Sequence, residues 1–366
     1  MNAIYFIGVG QALMVMALTA SKAKKREVNY LLVVWMAMCS LHLIFFYLNF
    51  IGETGDHPRL MVTGGLLQFL SAPLLYLYVK AVTSEKLTVK ELLLHAIPFL
   101  TYLVLFQLYF NPKEFSVYEG FIHVTSGHFF LQNYSSGLAI TSFVYPLVSL
   151  FKLKQHRKAI LNEFSSIEQL TLDWLRHWII LELLAFIISY VVIWFATFEI
   201  IDYIVSFQVL AAIIMVNVFV VGFFGLRQPI IAMSTEAKPK KKYERTGLSP
   251  AQSKDLLARL EKLMTAEQLF LNQDLSLETL ASQLGTSKHH LSQVLNSDLN
   301  VTFYEFINKA RVAEFKTRML SDDYHHLSIL GIALQCGFSS KSSFNQVFKS
   351  LEGVTPSEFK KKNSIK

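Results

Sequence analysis

Apolar residues run in long blocks through the first two-thirds of the chain and recur at helical spacing through the last third. Crossing the hydrocarbon core of a bilayer takes about 20 mostly apolar residues. Seven segments approach or reach that length: 3–20, 29–51, 60–82, 92–110, 134–151, 177–198 and 203–225. The fifth is diluted by Ser135, Ser136, Thr141 and Ser142. Main-chain polar groups find no water in lipid, so each segment should be a helix. Pro73, Pro98 and Pro146 then fall inside helices, as kinks. Between the fourth and fifth segments, a loop over 111–133 carries Tyr118, Phe121, His123 and His128; it suits an ordinary interfacial loop or a lid over an outward pocket.

The pattern changes after Gly225. Residues 226–247 contain Pro229, Pro239, Gly247 and the run Lys238, Lys240, Lys241 and Lys242. Next to a span, such a run attracts anionic lipid, with DNA phosphate as the alternative contact. Over 249–271, Leu256, Leu257, Leu260, Leu263 and Met264 repeat at helical spacing. Thr265 with Gln268 has the spacing of a capping box and suggests a second short helix there. The piece suits packing against the C-terminal domain, or dimerisation and signal relay.

From Leu275 onward the chain repeats itself. SLETLASQLGTSKHHLSQVL (276–295) matches SILGIALQCGFSSKSSFNQVF (328–348), with a one-residue difference in the turn. Each unit reads as helix, glycine turn and helix. Gly285 and Gly337 suit the positive φ that ends a helix, and Ser287 and Ser340 suit N-caps. Between the units, Thr302 to Glu305 forms a capping box that starts one long helix over 303–320.

Residues 275–361 resemble the AraC/XylS family of bacterial transcription regulators, most closely over IALQCGFSSKSSFNQVFKSLEGVTPSEFKK. Asn300 stands where that family commonly has glycine, and asparagine tolerates the left-handed conformation. The apolar front end is similar, in layout alone, to the seven-transmembrane members of the family. The expected fold is all-α: a seven-helix transmembrane bundle (1–226), a basic linker with coupling helices (227–272), and a cytoplasmic domain of two helix-turn-helix motifs joined by a long central helix (273–366).

Charge supports two solvents for two parts. Of the chain's 34 basic and 27 acidic residues, 1–226 hold 14 and 13, and 227–366 hold 20 and 14. The loops after the first, third and fifth segments carry Lys22, Lys24, Lys25, Arg26, Lys80, Lys86, Lys90, Lys152, Lys154, Arg157, Lys158 and Arg176. The loops after the second, fourth and sixth carry Arg59 and Lys113. Basic loops stay in the cytoplasm, so the N-terminus should lie outside a bacterial inner membrane and the C-terminus inside, with DNA. No basic residue precedes the first segment, which therefore reads as a helix and not a signal peptide.

In a helix-turn-helix the second helix enters the major groove. Leu291, Val294 and Leu295 face the core of the first unit, and Phe344, Val347 and Phe348 that of the second. The resemblance implies His289, Ser292 and Gln293, then Lys341, Ser342, Ser343 and Gln346, as base readers. Lys288 and Lys349 suit phosphate, which positions without specifying. Glu182, within the sixth segment, is either an interhelical hydrogen-bonding residue or part of a ligand or proton site. Cys39 and Cys336 suit packing; Cys39 and His42 lie three apart, but the chain has no zinc-type cysteine spacing. No cofactor, metal or catalytic group is expected.

These expectations describe a sequence-specific transcription regulator in the membrane, coupling a small-molecule or membrane signal to gene expression. Its expected partners are double-stranded DNA and the lipid bilayer, with RNA polymerase and a second copy as candidates. A transporter with a regulatory DNA-binding domain is the alternative; it should show repeated halves and broken helices.

Overall fold

The computed structural model describes residues 3–23, 27–51, 57–83, 86–109, 115–118, 121–124, 129–168, 170–198, 200–227 and 248–363. The lysine run 238–242 lies outside them. The chain forms two compact units: residues 1–154 with 172–235, and residues 155–171 with 236–366.

The first unit is built from α1 (Ala3–Ala23), α2 (Glu27–Phe50), α3 (Pro58–Leu66), α4 (Gln68–Val82), α5 (Val89–Tyr109), most of α6 (Phe129–Leu161), α7 (Asp173–Thr197) and α8 (Tyr203–Arg227). Among the described residues, six helical stretches are long and apolar enough to cross a membrane, and a shorter apolar helix, Tyr5–Ser21, accounts for the first expected segment. The helices differ in what they cover. Leu92, Leu93, Leu94, Ile97, Leu100, Val104 and Leu108 of α5 are exposed, whereas Leu32, Trp35, Met36 and Leu43 of α2 are buried. Apolar side chains facing outward all along a helix need an apolar surrounding, as a lipid-facing helix has.

Two details refine the sequence reading. In the third segment α3 passes into α4 through one turn residue, Leu67, which keeps helical φ −57° and ψ −23°, so 63–82 remains one apolar stretch. The loop after α5 holds a short antiparallel hairpin, β1 (Phe115–Tyr118) and β2 (Phe121–Val124). Helices nonetheless dominate the described chain.

The second unit comprises α9 (Pro250–Glu267), α10 (Leu277–Gln283), α11 (Lys288–Gln293), α12 (Phe303–Met319), α13 (Ile329–Gln335), α14 (Lys341–Glu352) and α15 (Pro356–Asn363), with the segment 155–171. Its core has two clusters. Leu256, Leu260, Met264, Phe270, Leu280, Leu291, Val294, Leu295, Phe303 and Ile307 form one. Val312, Phe315, Ile332, Ala333, Cys336, Phe338, Phe344, Val347 and Phe348 form the other. The first half of α12 therefore closes one helix-turn-helix and its second half closes the other. Burial pushes the Cys336 thiol up to about 12, so it packs as a small protonated hydrophobe.

Helix α9 runs without a break through Thr265, whose hydroxyl donates back to the Glu261 carbonyl. The expected second capping box is absent there because Gln268, at φ 47°, ends the helix and reverses the chain. The capping box that does form in α9 is Ser249 with Gln252. Because Leu256, Leu260 and Met264 are buried with Leu280 and Leu291, α9 is part of the first cluster.

Candidate nucleic-acid interface

Local chemistry places both second helices. The Ser287 hydroxyl accepts from the His290 N–H at 3.2 Å, and the Ser340 hydroxyl accepts from the Ser343 N–H at 3.2 Å. Each turn before them uses a left-handed glycine, Gly285 at φ +63° and Gly337 at φ +89°. Asn300 adopts φ 52°, as its side chain permits.

On α14 the two faces separate as the pattern implies. Phe344, Val347 and Phe348 are buried, while Lys341, Ser342, Gln346 and Lys349 are exposed. Ser343 is the exception among the expected readers. Its side chain is only 7% exposed and is hydrogen-bonded by Tyr304 of α12, because it shares the inward face with Phe344 and Val347. On α11, His289 is exposed, whereas Lys288, Ser292 and Gln293 are half-buried. The Gln293 Oε1 accepts from the Leu248 main-chain N–H at 3.3 Å. Gln293 and Gln346 occupy equivalent repeat positions, yet only Gln346 stands clear of its own domain.

Reading of adenine by glutamine is bidentate and sequence-dependent. In the full chain, Gln346→Ala should therefore cost about 1–3 kcal/mol on the specific site and little on random DNA. Lys349→Ala should weaken both and flatten the salt dependence. Equal losses on both DNAs for Gln346→Ala would show that it does not read a base. Binding titrations against the two DNAs decide it.

A segment that the sequence reading left in the membrane part belongs to this unit. Phe164 and Ser276 form a short antiparallel bridge. The Leu277 N–H donates to the Glu163 carbonyl at 2.9 Å, and the Ser165 hydroxyl donates to the Leu275 carbonyl at 2.7 Å. At the centre lies Arg311 of α12, fully buried. Its guanidinium donates to the carbonyls of Phe270 (2.7 Å), Asn272 (2.8 Å) and Ser165 (3.0 Å) and to the Ser165 hydroxyl (3.0 Å). Burial holds its pKa down to about 10, still well above neutral, so it stays charged.

The same segment carries two carboxylates to the starts of the second helices of the two motifs. Glu163 pairs with Lys288 at 2.8 Å, and Glu168 accepts from the Ser339 hydroxyl at 2.8 Å. Lys288, the expected phosphate contact of the first unit, is thus held by an internal anion. Glu163→Gln should free it. The plot of log affinity against log salt should then steepen by about 0.9 for one added phosphate contact. An unchanged slope in salt titrations would show that Lys288 does not reach the DNA backbone.

Known proteins match this part of the chain. The helix-turn-helix domain family matches residues 280–362. A probable transcription factor, PqrA of Proteus vulgaris, is 33% identical over 98 residues, covering 27% of this chain and 78% of that protein. The chain belongs to the AraC-type helix-turn-helix transcription factors. Uncharacterized HTH-type transcriptional regulators of Staphylococcus aureus strains COL and N315 are 38% identical over 93 residues, which is 25% of this chain and 12% of each of theirs. No solved structure matches. These matches cover 27% of the chain or less, so the apolar helices stand on their own physical chemistry.

In the first unit, Glu182 of α7 is buried at 7% exposure and lines a cavity of about 120 Å³. Asn217 of α8 hydrogen-bonds its carboxyl, and the Asn217 Oδ1 accepts from the Trp178 indole N–H at 2.8 Å. Cys39 and His42 line the same cavity.

Proposed function

We propose that the chain is a membrane-embedded transcription regulator that binds specific DNA sequences and couples a signal at the membrane to gene expression. One observation supports the coupling. Residues 155–171, the last turns of α6 and its connection to α7, fold with the DNA-binding unit although both helices are long and apolar. A signal can shift a regulator only by favouring one of two states. Here a change at the ends of α6 or α7 reaches Lys288 through Glu163 and Ser339 through Glu168, without a diffusing intermediate. The relay expected in 249–271 then belongs to the responding domain, since α9 is part of its core.

Double-stranded DNA is the partner of the exposed faces of α11 and α14. The bilayer is the partner of the outward apolar faces of α5 and α7, and RNA polymerase and a second copy are candidates. The charge asymmetry of the loops favours a bacterial inner membrane with the N-terminus outside and the C-terminal domain in the cytoplasm. The alternative is a transporter with a regulatory domain, for which broken helices are expected; Leu67, at the α3–α4 junction, keeps helical torsions.

Genome-wide mapping of DNA bound to the full chain, with membrane fractionation of the same cells, tests the proposal. Discrete sites recovered with membrane-fraction protein, and lost on deletion, are expected. Membrane-fraction protein without discrete sites would sink it in favour of transport.

A further inference from the structure

We propose that the cavity at Glu182 binds a small protonated amine carrying an aromatic or alkyl body. The inference rests on the sensing role above and gives that role a ligand class. The cavity is lined from α2, α4, α6, α7 and α8, all within the first unit. A water needs roughly 10–15 Å³ of such space, so about 120 Å³ has room for on the order of ten heavy atoms.

Its chemistry is asymmetric. The buried Glu182 Oε2 and His42 Nε2 have no hydrogen-bond partner. A buried carboxylate oxygen without a partner costs free energy that a ligand's donor would recover. None of the described lining residues is a lysine or an arginine, so an anion would meet a carboxylate with no permanent cation beside it. Trp35, Phe46, Phe186 and Tyr190 supply aromatic surface, which attracts cations through the ring faces. A carboxylate beside aromatic rings selects a cation over a neutral or anionic molecule of the same shape. Gln68, at the start of α4, also lines the cavity.

The test uses the full chain in nanodiscs and three probes of one shape: phenethylamine, phenethyl alcohol and phenylacetate. Intrinsic tryptophan fluorescence reports binding, since Trp35 lines the cavity. A hydrogen bond to a charged partner is worth enough that the amine should bind roughly tenfold to a hundredfold more tightly than the alcohol. Phenylacetate should not bind saturably. Glu182→Gln should abolish the preference for the amine, and Glu182→Asp should keep part of it. Trp35→Phe should remove the fluorescence response without removing amine-induced thermal stabilisation. Equal binding of amine and alcohol, no saturable binding at millimolar amine, or an intact preference in a folded Glu182→Gln would overturn the proposal. Occupancy of the mapped DNA sites separates it from the coupling role. Glu182-dependent amine binding with unaltered occupancy supports the amine site and counts against coupling. Occupancy that follows another stimulus, with no amine preference, overturns the amine site and leaves coupling intact.

Discussion

Arg311→Met should destabilise the second unit by about 1–3 kcal/mol, the cost of leaving a buried acceptor without its donor. A hydrophobic residue in place of a buried ion is often harmless when its partners can be replaced with it. That route is closed here. The partners are mostly main-chain carbonyls, at Phe270, Asn272 and Ser165, and no side-chain substitution removes them. Asn308 still donates to the Ser165 carbonyl at 3.1 Å, and the Leu275 N–H to that of Asn272 at 3.3 Å, so the largest single loss falls on Phe270. Arg311→Lys keeps the charge but loses the planar fork that reaches five acceptors at once, so it should recover only part of the stability. Hydrogen exchange in the full chain is the measurement, because two units need not unfold together. Amides that depend on the network, Ser165, Leu275 and Leu277, should exchange faster in Arg311→Met. Wild-type exchange at those amides would show that the network is dispensable. Arg311 also ties the segment 155–171 to α12, so the same variant should weaken any regulation transmitted through Glu163 and Glu168.

Gly337→Ala and Gly285→Ala should differ sharply although both replace a left-handed glycine in equivalent turns. At either position a side chain in that conformation costs about 1–3 kcal/mol. At Gly285 nothing lies within 4 Å of where a Cβ would stand. At Gly337 a Cβ would lie 2.5 Å from the Phe270 carbonyl oxygen, 2.8 Å from that of Leu271 and 2.9 Å from the Arg311 Nε. Main chain cannot rotate away as a side-chain tip can, so overpacking should add about 1–3 kcal/mol at Gly337 alone. Thermal unfolding of the second unit in both variants gives the comparison, and equal losses would refute the close approach. Because the clash falls on the acceptor of Arg311, Gly337→Ala and Arg311→Met should be less than additive.

Much of the fold was legible because its causes are local. Long apolar helices show as apolar length, and the two helix-turn-helix units show as an internal repeat with caps at Ser287, Ser340 and Thr302. The same local rules foresaw Asn300 in the left-handed region and the inward face of Phe344, Val347 and Phe348. The resemblance, and not that periodicity, supplied Ser343 among the expected base readers; helical spacing puts it on the inward face beside Phe344 and Val347, where the structure has it.

What the sequence could not carry was contact between distant positions. Arg311 and Ser165 are 146 residues apart, and neither stands out by type or spacing. The pairs Lys288 with Glu163 and Ser339 with Glu168 span 125 and 171 residues, and no period links them. Thr265 and Gln268 matched a capping box, but burial of Leu260 and Met264 against the first helix-turn-helix keeps α9 intact through that point. Glu182 was visible as a carboxyl in an apolar helix, yet its cavity exists only where five helices converge. Hydrophobic length and local hydrogen bonding therefore determined which segments are helices and what each face wants. Tertiary packing alone decided which segment of the apolar part folds with the helix-turn-helix units, because that choice depends on side chains brought together from opposite parts of the chain.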